Sequence, residues 1–390
     1  MKKTILYIGG MEFPDKNAAA QRVIANCKIF EDLGYRVILA GMNKLIPYDF
    51  DHLPIKEKSV HNFNLYSRPY PKNTKQWIQY MIDINWIKKI IKSNSEENIV
   101  AIVAYNYPSV ALLKLQRYAE KNKIKLIADC TEWYGNKNIS KSIDTFFRMR
   151  YVQKKVRNVI CISDYLEEYY SSNNCITVNV PSLVDKMDIK WEKETAFKSS
   201  NPMVFSYVGS PGITKEKDRL DFIIKAFYEL KKSGYNFLFK IVGISKEEFL
   251  NMFPTYQAIL LALNKHVIFL GRMSHLDSLS IVKKSDFTVF ARMENRVTMA
   301  GFPTKLAESF SCGTPVVTNP TSNISKFIYT GKNGYLAKDC SLNSLKEAIE
   351  HALNTDSVTL EKMHIYCSDL NPLDYRNFID DLNTFINRVI

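Results

Sequence analysis

The sequence predicts an α/β chain folded as two domains, each with a parallel sheet covered by helices on both faces. Three observations carry that prediction. Short continuous apolar runs alternate with amphipathic stretches, the pattern of parallel strands covered on both faces. Several of these runs end in glycine-rich turns, as at Gly9-Gly10 and Gly209, on the side where an α/β sheet receives ligands. At 390 residues, the chain is also longer than one core ordinarily fills.

In the first half the strand candidates are Thr4–Ile8, Arg36–Ala40, Ile99–Ala104, Ile124–Asp129 and Val159–Ile162, with amphipathic helices at Ala18–Leu33 and Ser109–Lys121. Ser163 suits a helix N-cap. The polar, aperiodic stretch Asp185–Asn201 reads as a linker. A second set follows at Val204–Val208, Phe237–Val242, Val267–Leu270, Phe287–Phe290 and Pro315–Thr318, with a helix at Asp218–Lys232. The final stretch, Leu373–Val389, has a helical pattern. The expected domains are residues 1–185 with 372–390, and residues 186–371.

Net charge is +13, and residues 1–185 carry 27 Lys and Arg against 18 Asp and Glu. The basic excess therefore lies mainly in the first half. Such a surface suits nucleic acid, anionic lipid or a phosphorylated substrate. No nucleic-acid motif accompanies it, so nucleic acid is not an expected partner. The seven cysteines are widely spaced, form no CxxC and fall mostly in apolar stretches, which points to reduced, buried thiols in a cytoplasmic protein. No zinc pattern is present, and Asp49-Phe50-Asp51 reads as a loop rather than a metal site, so neither metal nor cofactor is expected. Lys2-Lys3 and the apolar residues after them read as a first strand, not a signal peptide. No apolar run approaches the roughly 20 residues needed to span a bilayer.

Residues 72–92 place Lys72, Lys75, Lys88, Lys89 and Lys92 around Trp77, Tyr80 and Trp86, with Asp83 the single acid. A basic amphipathic helix with aromatic residues can lie on a membrane, at the inner face of the cell membrane for a cytoplasmic protein. A helix packed on the sheet with a solvated lysine edge is the plainer alternative.

The stretch that organises the chain is Ala300–Val317. Gly301 suits close backbone approach, Pro303 the first position of a helix, Gly313 its C-terminal cap, and Thr314-Pro315-Val316-Val317 a buried strand. The N-terminal amides of that helix, with Lys305 beside them, suit a diphosphate. Glu308, one turn deeper, suits the paired hydroxyls of a ribose. On spacing alone, an ordinary capped helix with a surface Lys–Glu pair accounts for the same residues.

This stretch resembles the donor-binding signature of nucleotide-sugar glycosyltransferases of the GT-B fold, in the retaining group called glycosyl transferases group 1. Its form, AGFPTKLAES followed by GTPVV, is similar to a branch among capsule and exopolysaccharide enzymes. The resemblance implies two Rossmann-like domains with an interdomain cleft, and a last helix that crosses back to the first domain. It also implies a nucleotide-sugar donor, with UDP as the expected nucleotide, and a sugar or lipid-linked acceptor; the latter raises the membrane option for 72–92. Lys217, Lys305 and Glu308 are the implied catalytic set. The implied donor contacts are Gly9, Gly10, Gly209, Lys215, Arg272 with Met273, Arg292, and Gly301, Phe302, Pro303 and Thr304. Lys215 is the alternative to Lys217, and Arg292 offers a charge that the family's turn carries where this chain has Ser210. On the acceptor side stand Arg22, Asn106, Tyr107 and Glu132. A solvated helix position for Arg22 and a helix-capping role for Asp129 with Glu132 remain the bland alternatives. The family's first glutamate is replaced by Ala300, which leaves its role unassigned. Two other readings stay open: a nucleotide-sugar epimerase, and a non-catalytic GT-B partner subunit.

Overall fold

The computed structural model describes residues 2–14, 18–48, 55–133, 139–192, 199–211 and 217–390. Lys215, the Asp49-Phe50-Asp51 triplet and residues 193–198 of the expected linker lie outside them. The chain forms two compact units, Met1–Leu183 with Tyr375–Ile390, and Val184–Asp374.

The first unit is built on an eight-stranded sheet. Its strands are β1 (Lys3–Gly9), β2 (Arg36–Asn43), β3 (Ile55–Val60), β4 (Phe63–Pro69), β5 (Asn98–Tyr105), β6 (Lys125–Cys130), β7 (Asn158–Cys161) and β8 (Ile176–Asn179), in the order β3-β4-β2-β1-β5-β6-β7-β8. All neighbouring pairs are parallel except β3 with β4. The central strands are buried on both faces, which is why they read as unbroken apolar runs: Ile5, Leu6, Tyr7 and Ile8 are fully buried. The antiparallel pair at the edge turns through His61 and Asn62, both with positive φ. The C-terminal helix Ile379–Val389 belongs to this unit and buries Leu382, Phe385, Ile386 and Val389.

The second unit carries β9 (Met203–Val208), β10 (Phe237–Val242), β11 (Val267–Gly271), β12 (Phe287–Val289), β13 (Val316–Thr318) and β14 (Gly334–Leu336), all parallel, in the order β11-β10-β9-β12-β13-β14. Phe205, Phe227, Phe239 and Phe287 pack beneath it, with Phe227 and Phe239 stacked at 4.6 Å. In both sheets the chain winds out from a central strand one way, then the other. In the second unit the reversal falls between β9 and β12, the position outside the carboxyl ends of the strands at which open α/β sheets take ligands.

Two local expectations need correction. Residues 72–92 form two helices, Thr74–Ile82 and Asn85–Ser93, not one. Asp83 breaks the helix with an extended backbone, and its Oδ1 accepts the Asn85 N–H at 3.1 Å. Tyr80 and Trp86 are buried, whereas Trp77, Ile78 and Ile82 are exposed. The linker contains a 3-10 turn at Ile189–Trp191, with Trp191 buried and donating Nε1–H to the Asp185 carbonyl at 2.8 Å. Among the described residues no helix is long and apolar enough to cross a membrane.

Candidate active site

The second sheet's reversal point gathers the most chemistry. The chain leaves β9 at Gly209, whose φ is +136°. A side chain there would meet Lys305 Nζ at 3.3 Å, so Gly209 and Lys305 face one another directly. Lys305 lies in the first turn of the helix Thr304–Ser311, for which Pro303 is the N-cap. Glycine at 313 closes this stretch with a left-handed backbone, φ +62°, as its sequence position predicts.

Lys305 is held from three sides. Its ammonium donates to Asp218 Oδ2 at 2.5 Å and sits over the Tyr207 ring at 4.3 Å and the Phe290 ring at 5.4 Å. Tyr207 donates to the same carboxylate oxygen at 2.8 Å. Arg292 Nε stands 3.6 Å from the other oxygen. The main chains of Asp218 and Arg292 also pair as an antiparallel bridge, and Asn319 fixes Arg292 by bonding both its N–H and its carbonyl. Burial pushes the Lys305 ammonium below the ordinary lysine range, against the pull of Asp218; Arg292 and Lys217 push the same way as burial. For Asp218, burial alone would raise the carboxyl, but Lys305 and Arg292 outweigh it and hold it below the usual value. One carboxylate thus faces two cations, and exposed Lys217 adds a third within electrostatic reach. The reversal point carries a positive excess, an arrangement suited to an anion.

Glu308 is half-buried one turn along the same helix, 3.3 Å from His275 Nε2. The other expected donor contacts divide. Gly301 has an extended backbone, φ −102°, that any residue adopts, and its amide is already bonded to the Val297 carbonyl at 3.2 Å. Pro303 has no N–H, which leaves the amides of Phe302 and Thr304 from that group of four. The Phe302 side chain is buried edge-on against Phe327 and is core. Arg272 is largely exposed and paired with Glu248 at 2.8 Å, and no contact joins it to Lys305 or Glu308 among the described residues. Met273, next to it, is also exposed.

In the first unit the expected acceptor contacts are mostly structural. Arg22 is 2% exposed, so neither a ligand contact nor a solvated helix position describes it. It pairs with Asp129 at 2.8 Å and donates Nη1–H to the Val180 and Pro181 carbonyls. Tyr7 donates to the same Asp129 at 2.5 Å, and burial, with Asp129 adding to it, raises its phenol well above the ordinary range. Asp129 is therefore a core anchor rather than a helix cap. Tyr107 is fully buried, accepts from Trp86 Nε1 at 3.3 Å and cannot stack on a sugar. Asn106 joins the ends of β5 and β6, giving and taking hydrogen bonds with Thr131. Glu132 is half-buried and faces the Tyr105 phenol. At Gly9 the room for a side chain is filled by Met11 and Tyr105, so its place is explained by packing; Gly10 is exposed.

Asp218, Tyr207, His275 and Asn319 were not expected here. Asp218 reads as an ordinary acid at a helix start, and its partner lies 87 positions on.

Residues 190–366 match the family model described as Glycosyl transferases group 1. The chain is a glycosyltransferase. An uncharacterized glycosyltransferase of Methanocaldococcus jannaschii is 24% identical to it over 307 residues, 78% of each chain. Among solved structures, the catalytic domain of starch synthase IV from Arabidopsis thaliana, bound to ADP and acarbose, superposes with a TM-score of 0.70 at 11% identity, covering 100% of this chain and 99% of that one. Anabaena HepE, in complex with UDP and glucose, gives 0.62 at 12% identity over 100% of both chains. At these identities the likeness is one of fold, and this glycosyltransferase has the GT-B architecture of two Rossmann-like units. The matched segment contains Gly209, Asp218, Arg292, Lys305 and Glu308.

Proposed function

We propose that this glycosyltransferase moves a sugar from a nucleotide diphosphate donor, a UDP-sugar, to an acceptor hydroxyl with retention at the anomeric carbon, in the making of a cell-surface polysaccharide or glycoconjugate. The observation that carries the donor reading is the positive excess where Gly209 meets Lys305 at the sheet's reversal point. Departure of the diphosphate builds negative charge on its oxygens. Lys305, already oriented by Asp218, and Lys217 stabilise that charge, with the amides of Phe302 and Thr304 beside them. Arg292 supplies the charge that the family's turn carries where this chain has Ser210, acting through Asp218 rather than from the turn. Glu308, steadied by His275, binds the ribose hydroxyls and sets the donor's register. UDP as the nucleotide draws support from the UDP and glucose bound to HepE, whose fold this chain shares. Retention and the polysaccharide role rest on the AGFPTKLAES signature.

A sugar or lipid-linked acceptor fits the same reading. Exposed Trp77, Ile78 and Ile82, on a helix that contains Lys75 and follows Lys72, support a peripheral contact with the inner face of the cell membrane.

Nucleotide-sugars screened for thermal stabilisation test the donor assignment. A UDP-sugar should raise Tm. Lys305→Ala should reduce turnover on the order of 10²–10³-fold, and Glu308→Ala should weaken donor affinity. If calorimetry detects no nucleotide diphosphate binding, the non-catalytic subunit reading replaces this one. Conversion of donor without any acceptor would identify an epimerase.

A further inference from the structure

The first unit contains a cleft of about 430 Å³ at the end of β4, walled by the helices Thr74–Ile82 and Asn85–Ser93. We propose that this cleft binds a phosphoryl-bearing ligand through Arg68, Lys88, Lys89 and Lys92. The inference rests on the first unit alone and stands whether or not the donor reading holds.

Arg68 carries the argument. It lines the cleft, is 7% exposed, and lies between the Tyr80 ring at 5.1 Å and the Trp86 ring at 5.2 Å. Its Nη1 is buried and has no hydrogen-bond partner, and no carboxylate pairs with it among the described residues. The contrast within the same molecule is direct: buried Arg22 holds Asp129, and buried Arg292 faces Asp218. Aromatic faces attract a guanidinium, but they do not satisfy its N–H donors. A buried cation without a counter-ion is destabilising, and a group that enters from solvent removes that penalty.

The rest of the lining points to the same occupant. Lys88, Lys89 and Lys92 fall within about one turn of each other on the helix Asn85–Ser93, which contains no acid. Like charges so spaced repel. Asp83 is the single acid among the lining residues, and its Oδ1 already accepts the Asn85 N–H. Four cations against one acid fit a dianion better than a single carboxylate. A planar guanidinium beside ammonium groups matches the oxygens of a phosphate ester. The volume admits a phosphorylated sugar or a lipid headgroup, two sources of the same chemistry.

Thermal unfolding of the full chain in sodium phosphate against sodium chloride at matched ionic strength tests the site. Phosphate should raise the Tm of the wild type by about 2–4 °C. Arg68→Gln should lose that response, while Lys305→Ala should keep it, which separates this site from the donor site. The double variant Lys88→Gln, Lys92→Gln should also lose most of the response, and it serves if Arg68→Gln does not fold. Glucose 6-phosphate and sedimentation with phosphatidylglycerol against phosphatidylcholine vesicles complete the set. A larger shift with glucose 6-phosphate than with phosphate assigns the site to a soluble phosphorylated sugar. Sedimentation with phosphatidylglycerol that the double variant loses assigns it to a lipid headgroup. A wild type that responds to none of the three probes, or variants that respond as fully as the wild type, overturns the proposal.

Discussion

The Lys305 ammonium and the Asp218 carboxylate meet at 2.5 Å, although 87 positions separate them in the chain. Arg292 faces the other oxygen of that carboxylate, so the pair is part of a cluster with more positive than negative charge. Its stability and its chemistry both follow from that imbalance.

Asp218→Asn keeps the shape and removes the negative charge. Lys305 and Arg292 are then left to repel each other with little water to screen them. The folded state should lose about 2–4 kcal/mol, measured by denaturant unfolding. UDP should stabilise the variant more than the wild type, because the diphosphate replaces the missing charge. An unchanged unfolding midpoint would show that the carboxylate does not neutralise this cluster.

The lowered Lys305 pKa fixes a pH dependence. Between its folded value and the ordinary 10.5, the unfolded chain holds the extra proton, so this group's contribution to stability improves as pH rises through that window. Donor binding runs the opposite way. It needs the ammonium, so affinity for UDP should fall as pH rises through the depressed value, sooner than an unperturbed lysine would allow. Calorimetric titration with UDP from about pH 7 to about pH 10 measures this, and binding should be accompanied by proton uptake at the alkaline end. Affinity that stays flat across the range contradicts a direct role for Lys305.

Gly209→Ala tests the turn. The backbone φ of +136° strains any other residue, and the new methyl would press on Lys305 Nζ at 3.3 Å. The expected loss is about 1–3 kcal/mol of stability, with weaker UDP binding. If stability falls and UDP affinity in the folded fraction does not, the turn is structural only.

Arg22→Met separates packing from acceptor recognition. The substitution leaves Asp129 buried without its guanidinium, which should destabilise the first unit by about 3–5 kcal/mol. Where the variant is still folded, KM for the acceptor should match the wild type. A raised KM at unchanged Tm would restore Arg22 to the acceptor side.

The sequence made the central strands visible because burial on both faces leaves an uninterrupted apolar run, as in Ile5–Ile8 and Ala101–Ala104. It concealed β3, β4, β8 and β14, which are edge or near-edge strands with mixed polarity and little length. The turn from β3 to β4 runs through His61 and Asn62, without the Asn-Gly or Asp-Gly pair that marks a hairpin. Gly209 and Lys305 were legible because glycine turns and helix starts are written in adjacent residues. Asp218 was not, since nothing beside it names a partner 87 positions away. Arg22 was misread for the same reason. An arginine that ends in the core looks like a solvated one until Asp129, 107 positions on, is brought to it.

Gly209 is backed by a second glycine. At Gly243, φ is +105°, and a side chain would collide with the Gly209 carbonyl. The turn that faces Lys305 is therefore peptide packed on peptide, and a side chain cannot be added at either glycine without distorting it. Selectivity among nucleotides or sugars has to be tuned from the surrounding walls. Directed evolution for a new donor should leave 209 and 243 alone and vary the exposed positions near β11, such as Met273.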